Sequence, residues 1–237
     1  VEFVDGTAPG FAAIVGSAPD SATAKKMAEE YQLKTIYVFM AANQNGTTFT
    51  EQLLEEDVQI GWNTRLVPFI SAQEAAELHE EFTRDRLQMC TAANLCEVQL
   101  WCSPDTSHRL FSDCSRLYGV TLYKQNGDDL GARMSNAITH MLGRYKKIII
   151  IGTDAPALDG HMIADVIREL DDRDVMLVPA EDGGYVLLGV STYHAKMLVN
   201  VPWGSGQVLS RTVANIENLG LNYGLLGECW DVYRPED

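Results

Sequence analysis

Residues Ile148, Ile149, Ile150 and Ile151 form an unbroken run that empties into Gly152-Thr153-Asp154. Side chains of a strand alternate between the two faces of its sheet, so a strand without a polar position must be covered on both. A sheet with one solvated face is thereby excluded, and helices are required on either side. The same demand recurs along the chain. The runs "FAAIVGS" (11 to 17), "TIYVFMAA" (35 to 42), "EVQLWCS" (97 to 103) and "DVMLVPA" (174 to 180) are further strand candidates, apolar and mostly β-branched or aromatic.

Helical patterns fill the intervals. In "SATAKKMAEEYQL" the residues Ala24, Met27, Ala28 and Tyr31 recur at helical spacing behind a Ser21 cap, and the stretch from Ser71 to about Met89 also reads as helix. "LDGHMIADVIREL" sets Leu158, Met162, Val166 and Leu170 on one stripe. Alternating strands and helices predict an α/β chain, Rossmann-like, with a mostly parallel sheet and helices on both faces. In such sheets ligands sit beyond the carboxyl ends of the strands. A soft break at "AANQNGTTF" (41 to 49) suggests an atypical βαβ segment over 1–60 and a larger domain over 61–237, joined in one sheet or in two.

Charge narrows the partners. With 33 acidic against 18 basic residues the net charge is −15, which argues against nucleic acid or an anionic membrane surface. No apolar run approaches the ~20 residues of a membrane span, and no signal core is visible, so the chain reads as soluble and cytoplasmic. Cys90, Cys96, Cys102, Cys114 and Cys229 lack the close pairing of zinc or iron-sulfur sites and read as reduced thiols, with Cys96 and Cys102 packing in the core. His79, His108, His140, His161 and His194 show no ligand spacing and take no role.

The candidate chemistry lies at the strand ends. Asp154 follows the isoleucine strand, where Gly152 permits close backbone approach and Pro156 ends the strand; it is either a carboxylate for a cation-bound phosphate or the cap of the next helix. "EDGG" (181 to 184) separates two apolar runs. Asp-Gly is a favoured hairpin turn, yet the Glu181-Asp182 pair carries one acid more than a turn needs, and oxygen ligands beside Gly183 and Gly184 suit a hard cation with a phosphate or sugar close to the backbone. Arg65 in "NTRL" and Arg133 in "GDDLGARMSNAI" are phosphate-binding candidates or surface ion pairs, and Asp128 and Asp129 serve as first-turn acids. In "VPWGSGQVLSRTV", Ser205 reads as a helix cap and Trp203 as a packing anchor.

Taken together, "NTRLVPFISAQEAAELHEEFTRD", "GDDLGARMSNAI", "IIIIGTDAPAL", "VPAEDGGYVLLGV", "VPWGSGQVL" and "WDVYRPED" resemble, in order, a bacterial glycosyltransferase-like family of the GT-A, nucleotide-diphospho-sugar transferase fold, related to the molybdopterin-type nucleotidyltransferases. The resemblance covers residues 64 to 237. It implies a transferase that binds a nucleotide or nucleotide sugar with Mg²⁺ or Mn²⁺. Asp154 and Asp182 would be catalytic and metal-binding, and Arg65, Arg133, Gly183, Gly184, Tyr185 and Trp203 would bind substrate or phosphate. Asn63, Ala132 and Tyr233 depart from the family pattern, and a non-catalytic interaction module with a degraded site is the alternative. Residues 1 to about 69, including "GFAAIVGSAPDSATAKKMAEEYQLKTIYVFM", resemble part of the N-terminal domain of acetyl-CoA synthase of the carbon monoxide dehydrogenase complex. That likeness implies a protein-partner surface through 1–60 and carries over none of that enzyme's nickel-iron-sulfur ligands.

Overall fold

The structure, a computed structural model, describes residues 35–41, 72–103 and 105–229. The elements run β1 (Thr35–Ala41), α1 (Ala72–Ala93), β2 (Glu97–Cys102), α2 (Arg109–Tyr118), β3 (Thr121–Lys124), α3 (Leu130–Met141), β4 (Lys147–Gly152), α4 (Gly160–Glu169), β5 (Val175–Pro179), β6 (Tyr185–Val190), a 3₁₀ turn (Ala195–Leu198), α5 (Val208–Asn218) and β7 (Tyr223–Leu225). The strand expected at 11–17 and the helix behind Ser21 lie outside the described residues. The expected 71–89 helix is α1, which continues to Ala93.

The strands form one seven-stranded sheet in the order β3-β2-β1-β4-β6-β5-β7. Backbone pairing sets β1, from within the segment 1–60, between β2 and β4, with Ile36 level with both Glu97 and Ile148. The expectation of a mostly parallel sheet is corrected to a mixed one, because β6 runs antiparallel to both β4 and β5. The cause is the "EDGG" turn, which folds β6 straight back along β5 as a hairpin in place of a helical crossover.

The isoleucine run does what its pattern demands. Ile149 and Ile151 enter one core with Leu87 and Cys90 of α1, Phe111 of α2 and Val166 of α4. Ile148 and Ile150 enter the other, with Met134 and Ile138 of α3, Met197, and Ile216 of α5. All four are at most 4% exposed. At about 1.5–3 kcal/mol for each fully buried side chain, both faces contribute comparably. All five cysteines are buried thiols in this interior, as the odd count and spacing suggested. Among the described residues no helix is long and apolar enough to cross a membrane.

Candidate functional site

Four segments meet at the carboxyl edge of the sheet: the loop after β3, the loop after β4, the β5–β6 turn and the loop that leads into α5. The reversal of β6 brings its first residue, Tyr185, to this edge. In the β4–β6 ladder Ile151 faces Leu187, so Asp154 stands three residues beyond one and Gly184 three residues before the other, at the same margin.

Asp154 is half-buried between two covered neighbours, Thr153 at 3% and Ala155 at 0% exposure. Its carboxylate folds back over Gly152, where a Cβ would lie 2.6 Å from Oδ1. Any side chain at 152 would displace it, which is the close approach that the glycine suggested. Asp154 is not the cap of the following helix. That place belongs to Asp159, whose Oδ1 accepts from Met162 N at 2.9 Å.

The "EDGG" segment is a turn and also more than a turn. Ala180 N donates to Gly184 O at 3.0 Å and Gly183 N to Ala180 O at 3.1 Å, which closes the hairpin. Asp182 Oδ1 accepts from Gly184 N at 2.8 Å, so this acid holds the turn; Asp182 and Glu181 are both exposed. Gly183 takes φ +85° and lies against Gly206, whose Cα would be 2.8 Å from a Cβ there. Its carbonyl also accepts from Leu209 N at 2.9 Å in the first turn of α5. The hairpin is thereby docked onto "PWGSGQ".

Trp203 completes the junction. Its ring meets Tyr185 in a T-shaped contact, with centroids 6.4 Å apart, and covers Gly131 at the start of α3, where a Cβ would fall 2.8 Å from the indole nitrogen. Burial pushes the Tyr185 phenol above its ordinary pKa, so the side chain stays neutral. Trp203 is the packing anchor expected. Ser205 is not the cap of α5: Gln207 holds the cap position, while Ser205 Oγ donates to Pro202 O at 2.7 Å, three residues earlier.

The structure thus brings together Asp182, Gly183, Gly184, Tyr185 and Trp203, with α3 entering the same junction through Gly131, and sets Asp154 at the same edge of the sheet. Arg133, two residues further along α3, is half-buried and its Nε donates to Gly127 O at 3.1 Å, which ties it to the loop that precedes its own helix. Asp129 is the cap of that helix, accepting from Ala132 N at 2.7 Å. Arg65, Asn63 and Tyr233 lie outside the described residues. Among the described residues no group of three His, Cys, Asp or Glu side chains gathers as a ready cation cage. Magnesium does not require one, since one or two carboxylates suffice where substrate phosphates and water supply the remaining oxygens. Asp154 and Asp182 are two carboxylates at one edge of the sheet.

Histidines have roles that spacing did not reveal. His108 Nδ1 accepts from Leu110 N at 3.1 Å as the cap of α2, and His194 Nδ1 from Lys196 N at 3.1 Å as the cap of the 3₁₀ turn. His79, buried in α1, meets the Thr153 hydroxyl. A histidine directly before a helical pattern is a local signal for the first two, whereas the third depends on a contact across the fold.

With its mixed sheet covered by helices on both faces, the chain shares its fold with solved structures of other proteins. It is similar, at 22% identity over 86% of this chain and 83% of the other, to the structure of a protein from Desulfovibrio desulfuricans G20 assigned as a nucleotide-diphospho-sugar transferase, with a TM-score of 0.69. A 4-diphosphocytidyl-2C-methyl-D-erythritol synthase from Anaerococcus prevotii DSM 20548 is similar at 8% identity over 89% and 94% of the two chains, with a TM-score of 0.54. Residues 86–205 match the family DUF2064, described as an uncharacterized protein conserved in bacteria, and the chain belongs to that family. No curated protein matches it by sequence. None of these matches shows the likeness of residues 1 to about 69 to acetyl-CoA synthase.

Proposed function

We propose that the protein binds a nucleotide or nucleotide sugar together with Mg²⁺ or Mn²⁺ at the carboxyl edge of its sheet, and transfers a glycosyl or nucleotidyl group there. The observation that supports this reading is that Asp154 stands at the same edge of the sheet as the docked pair of glycine turns at 182–184 and 203–206. Asp154 and Asp182 would hold the cation. When bound, the cation would neutralise charge on the diphosphate leaving group. Gly183 and Gly184 let a phosphate or sugar approach the main chain, Tyr185 and Trp203 give the pocket a neutral aromatic wall, and Arg65 and Arg133 are the cations suited to phosphate.

The second reading, a non-catalytic module whose site has lapsed and whose 1–60 segment docks to a protein, is favoured by the departures at Asn63, Ala132 and Tyr233. Thermal unfolding with Mn²⁺ and each of ADP, CDP, GDP and UDP separates the two. A binder at a hundredfold excess over Kd gains about 2.7 kcal/mol, and Asp154→Ala should lose that gain. No shift with any diphosphate, or an equal shift in the variant, overturns the first reading.

A further inference from the structure

Helix α1 buries polar side chains that the reading above does not use. His79, Thr83 and Arg86 are 4%, 0% and 5% exposed, and steps of four and three residues set them on one stripe. An apolar stripe would pack there without the desolvation cost of an imidazole and a guanidinium. Thr83 Oγ1 and Arg86 Nε have no hydrogen-bond partner among the described residues, so this arrangement is not the one that stability alone would favour.

The remaining polar atoms of the stripe point mainly at one place. His79 Nε2 lies 3.3 Å from Thr153 Oγ1. Arg86 Nη1 donates to the carbonyl of Leu158, and Nη2 to the carbonyl of Pro156 at 3.3 Å and to Asp85 Oδ2 at 2.5 Å. Thr153, Pro156 and Leu158 all belong to the segment between β4 and α4, and Asp154 lies between the first two. That segment is thus tied to α1 both before and after its carboxylate.

We propose that α1 is the positioning element of this site: His79 and Arg86, acting through Thr153 and the Pro156 and Leu158 carbonyls, fix where the Asp154 carboxylate stands. Neither residue touches the ligand. The inference rests on the reading of Asp154 as a cation ligand, and it extends that reading to a helix on the opposite side of the loop.

The test is amide hydrogen exchange on the full chain, paired with Mn²⁺ titration followed by electron paramagnetic resonance. The variants are Arg86→Met, Arg86→Lys and Thr153→Val; the last removes the loop's side of the His79 contact with little change of shape and decides the matter should Arg86→Met fail to fold. In Arg86→Met and Thr153→Val, amides 153–159 should exchange at least about tenfold faster while α5 keeps its wild-type protection, and Mn²⁺ should bind about tenfold more weakly, as outer supports of metal ligands do when lost. Arg86→Lys, which keeps the charge and one donor direction, should fall between. Unchanged exchange at 153–159 in both variants overturns the proposal, and so does unchanged Mn²⁺ affinity where Asp154→Ala abolishes binding. If the wild type binds no Mn²⁺, the ligand role of Asp154 falls, and the hold of α1 on the loop is decided by exchange alone.

Discussion

Gly183 must satisfy two demands at once. Its φ of +85° is open to glycine at no cost, and the space where a Cβ would stand is filled by the main chain of Gly206, which cannot swing aside as a side-chain tip can. Gly183→Ala should therefore cost about 2–4 kcal/mol in denaturant unfolding, the sum of a left-handed alanine and a displaced loop. The same variant should weaken Mn²⁺-nucleotide binding, because the turn that strains is the one that carries Asp182. Thr212 presents the opposite case. Its hydroxyl is wholly buried beside that of Tyr185, yet outside hydrogen-bonding geometry. A buried donor without a partner is a cost, so Thr212→Val should keep stability within about 1 kcal/mol of wild type or raise it, as denaturant midpoints would show. A larger loss would mean that the hydroxyl has a partner.

Among the elements, α3 is where a structural acid and a ligand-binding one are most easily confused. Asp128 and Asp129 stand in the same acidic loop, but Asp129 caps the helix through Ala132 N. Asp129→Ala should lose about 1 kcal/mol in unfolding and leave Mn²⁺-nucleotide affinity unchanged, whereas Asp154→Ala should do the reverse. The elements themselves were legible because they follow from local periodicity. Four isoleucines imply a strand covered on both faces, and alternating burial of Ile148 through Ile151 is that implication in three dimensions. The "EDGG" hairpin was legible from turn chemistry, but its consequence, a strand running against β4, was not, since strand direction depends on pairing partners far apart in sequence. The α1 stripe was hidden for a related reason. In the sequence His79 takes no role and Arg86 is one cation of a predicted helix, and only their contact with 153–158, some seventy residues on, shows that they face inward.

At the scale of the whole molecule, acid acts on stability in two opposite directions. The net charge of −15 repels itself, and protonation of carboxylates relieves that repulsion as pH falls. His79 works against this. Burial lowers its pKa from the ordinary 6.5 to about 3, so the folded protein keeps the imidazole neutral while the unfolded chain binds a proton. Above pH 6.5 both states are neutral at this group and its contribution to stability is fully present. Between 6.5 and about 3 the unfolded state holds one more proton, and stability declines by up to about 1.4 kcal/mol per pH unit. Below about 3 both states are charged and the decline stops. His79→Gln has no such titration. The quantity to measure is therefore the difference in unfolding free energy between wild type and His79→Gln at pH 7.5 and at pH 4.5, in the same buffer and salt, because the carboxylate term is common to both chains and cancels. The wild type should lose about 2–3 kcal/mol relative to the variant over that interval. A pH-independent difference would place His79 in contact with water in the folded state and remove it from the brace.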